Sequence, residues 1–233
     1  LFKKSEKDSQ WASIQMPSHK NPFIPPQELI DVKESLPHDA YEREVLAQFN
    51  DSTASVFKRE WINKVEEVPD DLVISMGVDL AISQRTTGDF TVMTVLGHHV
   101  ETNRYYVLAV NRSKLTFNQI VTQIQEMAAI HKPTVIAIET VAFQKVVADT
   151  LLETTTLPIV AIHPTVDKVS RALPMAARFE KGQFFFHDTP AIDEAVYGEL
   201  LAFPSKNVPD DTIDSMEMAF SALSRTKPFI FSL

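Results

Sequence analysis

Three groups of acidic residues stand where carboxylates are costly. Asp79 interrupts the apolar run Val73-Ile74-Ser75-Met76-Gly77-Val78-Asp79-Leu80. Glu139 ends the run Val135-Ile136-Ala137-Ile138. Asp210, Asp211 and Asp214 follow Pro209, at the start of a segment whose Ile213, Met216, Phe220 and Leu223 repeat at helical spacing. A carboxylate in or at the end of a buried strand is unfavourable unless it is paired, protonated or metal-bound. If the first two runs are neighbouring strands and the last helix lays its apolar face on them, all three groups meet. Carboxylates without thiolates suit hard divalent cations such as Mg²⁺ or Mn²⁺. Two such ions can clamp the attacking and leaving oxygens of a phosphoryl transfer, with no need for a Ser or Cys nucleophile. Each group also has a bland role: Asp210 or Asp211 suits a helix N-cap, and Glu139 a surface strand end. Asp79 is harder to dismiss, because Gly77 and its apolar flanks imply tight burial.

The elements that must position these acids are readable from periodicity. Val73–Leu80, Phe90–Gly97 and Tyr105–Val110 read as strands, with Gly88 and Asn103 in the turns between them. Phe117, Ile120, Val121, Ile124, Met127 and Ala128 then mark a helix that Pro133 ends. Val135–Ile138, Ile159–Ile162 and Phe184–Phe186 are further strands. Phe143–Glu153, Lys168–Lys181, Ile192–Phe203 and Ile213–Leu223 are helices, the second stopped by Gly182. The order β-β-β-α-β-α-β-α-β-α-α predicts an α/β fold, a mixed sheet flanked by helices. Residues 1–66 differ in texture. Pro17, Pro22, Pro25, Pro26 and Pro37 break them into short pieces, with helices expected over Gln27–Ser35 and Asp39–Phe49. This part reads as a linker or lid, and 67–233 as the domain.

Composition limits the alternatives. The 233 residues are 44% hydrophobic, enough for a core, with no run long enough for a membrane span. There is no cysteine, so disulfides and thiolate metal sites are excluded. The charged start shows no signal peptide, and the missing initiator Met suggests a fragment. The net charge of −9 argues against a general nucleic-acid binder, so any DNA contact must be local. Lys168, Arg171, Arg178 and Lys181 supply one candidate stripe, for Arg171 and Arg178 are seven apart on one helix face; Lys145, soon after Glu139, is another candidate. A solvated helix face is the plain alternative. His163 and His187 follow strands and are expected to be structural, His98 and His99 to lie at the surface, Asp89 to stabilise a turn, and Trp11 and Trp61 to anchor packing.

Five pieces in order resemble the nuclease domain of tailed-bacteriophage large terminases, of ribonuclease H-like (resolvase/integrase-like) fold. They are Gly77-Val78-Asp79-Leu80-Ala81, Gly88-Asp89-Phe90-Thr91-Val92, Val135-Ile136-Ala137-Ile138-Glu139, Lys168-Val169-Ser170-Arg171-Ala172 with Phe179-Glu180-Lys181-Gly182, and Asp210-Asp211-Thr212-Ile213-Asp214-Ser215. Upstream, Asn21-Pro22, Tyr41-Glu42-Arg43-Glu44 and Ala54-Ser55-Val56-Phe57 resemble the stretch between the terminase ATPase core and its nuclease. The resemblance implies an endonuclease that cuts concatemeric double-stranded viral DNA during genome packaging in the cytoplasm of the infected bacterium. It implies two Mg²⁺ or Mn²⁺ ions held by Asp79, Glu139 and Asp211. Many members have Asp where Glu139 stands. The share of Asp210 and Asp214 stays open, with Asp214 favoured as a supplementary ligand. Implied partners are the small terminase subunit, the portal protein and the terminase ATPase domain. No Gly-x-x-x-x-Gly-Lys-Ser/Thr can be written here, so this chain is expected to cut DNA without itself hydrolysing ATP. The competing readings are a Holliday-junction resolvase or ribonuclease H, an actin-like or sugar-kinase ATPase (which would need further Gly-rich loops), and a non-catalytic interaction module.

Overall fold

The computed structural model describes residues 14–48, 55–80, 90–140, 143–189, 192, 194–205 and 207–225. They fall into two compact units, 1–54 and 55–233.

The first unit holds two short helices, α1 (Pro26–Ser35) and α2 (His38–Glu44). Proline opens α1, where its missing N–H costs nothing. The second helix is shorter than its apolar spacing predicts. The chain leaves it at Val45, and Ala47 turns with a positive φ of 53°. The Val45 carbonyl is taken by the Ser18 N–H at 2.8 Å instead.

The second unit is built on a seven-stranded sheet: β1 (Asn63–Val65), β2 (Val73–Asp79), β3 (Thr91–His99), β4 (Arg104–Ser113), β5 (Val135–Glu139), β6 (Ile159–Ile162) and β7 (Phe184–His187). Their order is β1-β7-β4-β3-β2-β5-β6. β2, β3 and β4 form an antiparallel meander, turning at Asn103 (φ 51°), while β5 joins β2, β6 joins β5, β7 joins β4 and β1 joins β7 in parallel. Residues 55–66, read in the sequence with the leading region, belong to this unit, and β1 is one of its edge strands. The expected α/β sheet with helical flanks is what the chain forms.

The helices are α3 (Phe117–His131), α4 (Phe143–Thr154), α5 (Lys168–Glu180), α6 (Glu194–Ala202) and α7 (Asp211–Arg225). Gln119 accepts the Thr116 N–H at 2.9 Å at the start of α3, and Lys132 ends it in the left-handed conformation just before Pro133. α5 runs through Pro174, because its Ala172, Met175, Ala176 and Phe179 face is buried; Gly182, at φ 64°, turns the chain after it. Among the described residues no helix is long and apolar enough to cross a membrane.

Strand alternation sends β2 two ways. Met76 and Val78, with Met93, Val95, Ile136 and Ile138, form a hydrocarbon layer against Ile120 and Ile124 of α3 and Val147 and Leu151 of α4. Ser75 and Gly77 face α7 instead. A Cβ on Gly77 would lie 1.9 Å from the Ser215 carbonyl oxygen and 2.6 Å from the Ala219 nitrogen, so only glycine lets α7 approach β2 this closely. Val92, Leu96 and Val107 complete that face with Phe179 of α5, Leu200 of α6, and Met216 and Phe220 of α7.

Candidate functional site

The close seat of α7 decides where its acids fall. Three buried hydroxyls pin it. Ser75 Oγ donates to the Ala219 carbonyl at 2.8 Å, Thr94 Oγ1 and Ser215 Oγ are 2.7 Å apart, and Ser215 Oγ reaches back to the Thr212 carbonyl at 3.0 Å. Two residues beyond Gly77, Asp79 lies on the same face at the end of β2. In the parallel β2–β5 register Val78 pairs Ile138, so Glu139 ends its strand next to Asp79 and on the same face. The first turn of α7 carries Asp211 and Asp214.

Helix α5 closes the cluster with cations. Asp167 caps it, accepting the Ser170 N–H at 3.0 Å and the Ser170 hydroxyl at 2.7 Å. Lys168 follows in the first turn, where the helix dipole disfavours a cation. Its position is explained by its partners: Nζ lies 2.8 Å from Asp210 Oδ1 and 2.5 Å from Asp214 Oδ2. One turn on, Arg171 sits 3.2 Å from Asp214 and 2.8 Å from Glu217 of α7.

The electrostatics show acid in excess. Burial, together with the charges of Asp214, Asp211 and Glu139, pushes the Asp79 carboxyl up to about 8. Burial also raises Asp214, outweighing the opposing hydrogen bond and charge of Lys168. Burial alone would lower Lys168, yet its hydrogen bonds to Asp210 and Asp214 and their charges hold it above its ordinary value. Lys168 keeps its proton between Asp210 and Asp214, while Asp79 has more acid than base around it.

Of the residues singled out in the sequence, Asp79, Glu139, Asp211, Asp214, Asp210, Lys168 and Arg171 come together. Arg178 does not join them. It lies two turns along α5, roughly 10 Å by helix rise, and donates to Gln183 Oε1 at 3.1 Å. Lys145 is exposed on α4. His163 contacts the Thr140 hydroxyl at 3.1 Å and lines a cleft of about 120 Å³ with Ile162, Thr165, Arg171, Glu217 and Ser221. His187 lies three strands from β2, with its Nε2 3.2 Å from the Glu66 carbonyl. His98 stacks on Tyr105 at 4.4 Å, and Trp61 packs on the α7-side core beneath Lys58. Asp89, with the rest of the 81–89 stretch, and Trp11 lie outside the described residues.

Two partners were not singled out. Glu217 lies one turn beyond Asp214, a spacing visible in the sequence. Glu199 of α6 is 4% exposed, accepts the Thr212 N–H at 3.0 Å and meets Arg112 of β4 at 3.0 Å; nothing in its local sequence signals that.

Among the described residues no three His, Asp or Glu side chains are drawn closely enough together to hold a metal ion. The donor set nevertheless fits a hard cation in its chemistry: buried and half-buried carboxylates on one face, with Asp79 raised by burial and its acidic neighbours and an ammonium drawn in between Asp210 and Asp214.

A family model described as the terminase RNaseH-like domain matches residues 76–223. No curated protein matches the chain. Among solved structures, the large terminase nuclease of thermophilic phage G20c with bound magnesium is similar at TM-score 0.55 and 18% identity, over 73% of this chain and 98% of that one. The P22 large terminase nuclease domain gives TM-score 0.56 at 15% identity, over 74% and 93%. The large terminase of thermophilic bacteriophage D6E gives 0.62 at 13% identity, over 89% of this chain and 55% of that longer one. At these identities the likeness is one of fold, the ribonuclease H-like fold. The family model reaches from the core of β2, through both acidic strand ends and the basic helix, to Leu223 of α7, and on that match the chain belongs to the terminase RNase H-like domain family.

Proposed function

We propose that this chain is a divalent-metal-dependent endodeoxyribonuclease that cleaves concatemeric double-stranded viral DNA during genome packaging. The observation that carries the reading is the convergence of Asp79, Glu139, Asp211 and Asp214, where burial first, and then the neighbouring acids, raise Asp79 to about 8. Family membership supports it, and the G20c relative was crystallised with magnesium.

Asp79, Glu139 and Asp211 are the proposed metal ligands, with Asp214 and Asp210 supplementary. A pair of Mg²⁺ or Mn²⁺ ions bound there would supply an activated water and the charge that stabilises the leaving 3′ oxygen. The chain's own residues do the rest. The hydroxyl-pinned α7 fixes the spacing of its acids against the strand ends. Lys168 neutralises Asp210 and Asp214 until the site is loaded, and then becomes free to meet a phosphate of the DNA backbone. Arg171 holds Asp214 and Glu217 in place and borders the path of the strand. Arg178 and Lys145 would extend contact along the duplex.

The proposed partners are duplex DNA, the terminase ATPase domain, the small terminase subunit and the portal protein, and the proposed setting is the cytoplasm of an infected bacterium. The test is plasmid cleavage with Mn²⁺, Mg²⁺ or EDTA, alongside Asp79→Asn. Metal-dependent nicking and linearisation that Asp79→Asn abolishes is the expected result. A folded wild-type chain that leaves the plasmid intact with both metals would refute the reading.

A further inference from the structure

Helix α7 brings its acids to the strand ends only if its first turn is held, and the group that holds it comes from another helix. The first N–H groups of a helix have no partner within it. Here the Thr212 N–H is taken by Glu199 Oε2 of α6 at 3.0 Å. Asp210, just before α7, has its Oδ1 engaged by Lys168 at 2.8 Å, so this residue serves the site. Thr212 itself is fully buried, between Asp211 and Ile213.

Glu199 is an expensive choice for a cap. It is 4% exposed, and a buried carboxylate needs a counter-charge. Arg112 supplies one, its Nη2 lying 3.0 Å from Oε1, off the hydrogen-bonding direction and so an ion pair only. The guanidinium in turn lies over the Phe90 ring at 3.7 Å, just ahead of β3. In the sheet register Arg112 pairs with Val92, and Val92 pairs with Asp79. The Phe90–Arg112–Glu199–Thr212 chain therefore ties the first turn of α7 to the strand next to Asp79. Buried ion pairs stabilise little compared with apolar residues of the same volume. This one does what an apolar pair cannot: it gives the Thr212 N–H an acceptor and links the turn that bears Asp211 and Asp214 to β4.

We propose that Glu199 and Arg112 are positioning residues that hold the first turn of α7, and with it Asp211 and Asp214, in register with Asp79 and Glu139 for cation binding. The inference rests on the metal-site reading above. Residues that orient metal ligands typically change metal affinity by about 10- to 100-fold when lost.

The experiment compares wild type, Glu199→Gln, Glu199→Met and the double variant Arg112→Met/Glu199→Met. Amide hydrogen exchange over 211–215 is measured without metal, and Mn²⁺ affinity by calorimetry. Glu199→Gln keeps an acceptor for the Thr212 N–H. It should show near-normal exchange and a small loss of Mn²⁺ affinity. Glu199→Met and the double variant should exchange faster in that turn. They should bind Mn²⁺ about 10- to 100-fold more weakly, and on plasmid DNA show a lower kcat at unchanged KM. The double variant, free of an unpaired buried charge, should do so with little loss of Tm. Wild-type exchange over 211–215 in Glu199→Met would overturn the inference, as would affinities that follow Tm alone. A wild-type chain that bound no Mn²⁺ would remove the reading of the site, and the exchange result would still decide whether Glu199 holds the turn.

Discussion

The two faces of the central sheet are made from the same strands and both bury an apolar cluster, yet they differ where β2 meets its helices. On the α3–α4 face, Met76, Val78, Met93, Val95, Ile136 and Ile138 belong to one buried apolar cluster. On the α7 face, the alternate positions of the same strands set Ser75, Gly77, Asp79, Thr94 and Glu139 beside the apolar Val92, Leu96 and Val107. The first face is packed side chain against side chain, where losing one methylene is felt but costs only about 1 kcal/mol. The second has strand and helix almost backbone to backbone at Gly77, hydroxyls in place of methyls, and carboxylates beyond. The hydroxyls of Ser75, Thr94 and Ser215 and the close approach at Gly77 set the seat of α7 on the strands.

The largest effect that can break this comparison is a single methyl. Gly77→Ala puts a Cβ into the α7 backbone, with no flexible side chain to yield. It should cost more than about 3 kcal/mol, beyond ordinary overpacking, whereas Ile136→Val on the opposite face should cost about 1 kcal/mol. Denaturant midpoints with unchanged slope measure both. Similar losses for the two would mean that the faces do not differ as described.

The pH dependence of the metal-free protein probes the acidic end of the same face. The folded-state value of Asp79 is raised to about 8 from an ordinary 3.8, so the folded state binds the proton more tightly than the unfolded one. The contribution is fully favourable below pH 4. It is lost as pH rises toward 8, by up to about 1.4 kcal/mol per pH unit. Asp79→Asn should flatten that decline and leave a chain that is more stable at pH 8 and unresponsive to Mn²⁺. A variant less stable than wild type at pH 8 would show that the ionised Asp79 has a counter-charge already.

A smaller effect sharpens the same contrast from the α5 side. Lys168→Met removes the ammonium that competes for Asp210 and Asp214. Mn²⁺ should then bind roughly tenfold more tightly, about 1.4 kcal/mol, while cleavage slows. Weaker Mn²⁺ binding in titration calorimetry would assign Lys168 a supporting role toward the acids instead of a competing one.

Much of this architecture could be read from the sequence. The apolar runs gave the longer strands, and Asp79 and Glu139 were conspicuous because each ended or broke such a run. The motif order pointed to the terminase family. What could not be read depends on distant partners. Asn63-Lys64-Val65 is too short and polar to announce a strand, and becomes one only because β7 offers its edge. α2 ends early because Val45 bonds back to Ser18. The sequence does not show that the Arg171 guanidinium pairs with acids 43 and 46 residues away, which speaks against a merely solvated helix face at that position. Glu199 resembled any helix glutamate until burial and the α7 cap set it apart.

The most direct test of the central claim, that the α7 face assembles a cation site, is a crystal structure of this chain grown with Mn²⁺ and examined by anomalous scattering. A manganese peak is expected between the carboxylates of Asp79, Glu139 and the first turn of α7, with the Lys168 ammonium withdrawn from Asp214. A well-ordered site at saturating Mn²⁺ with no peak there, and with Lys168 still on Asp210 and Asp214, would contradict the claim.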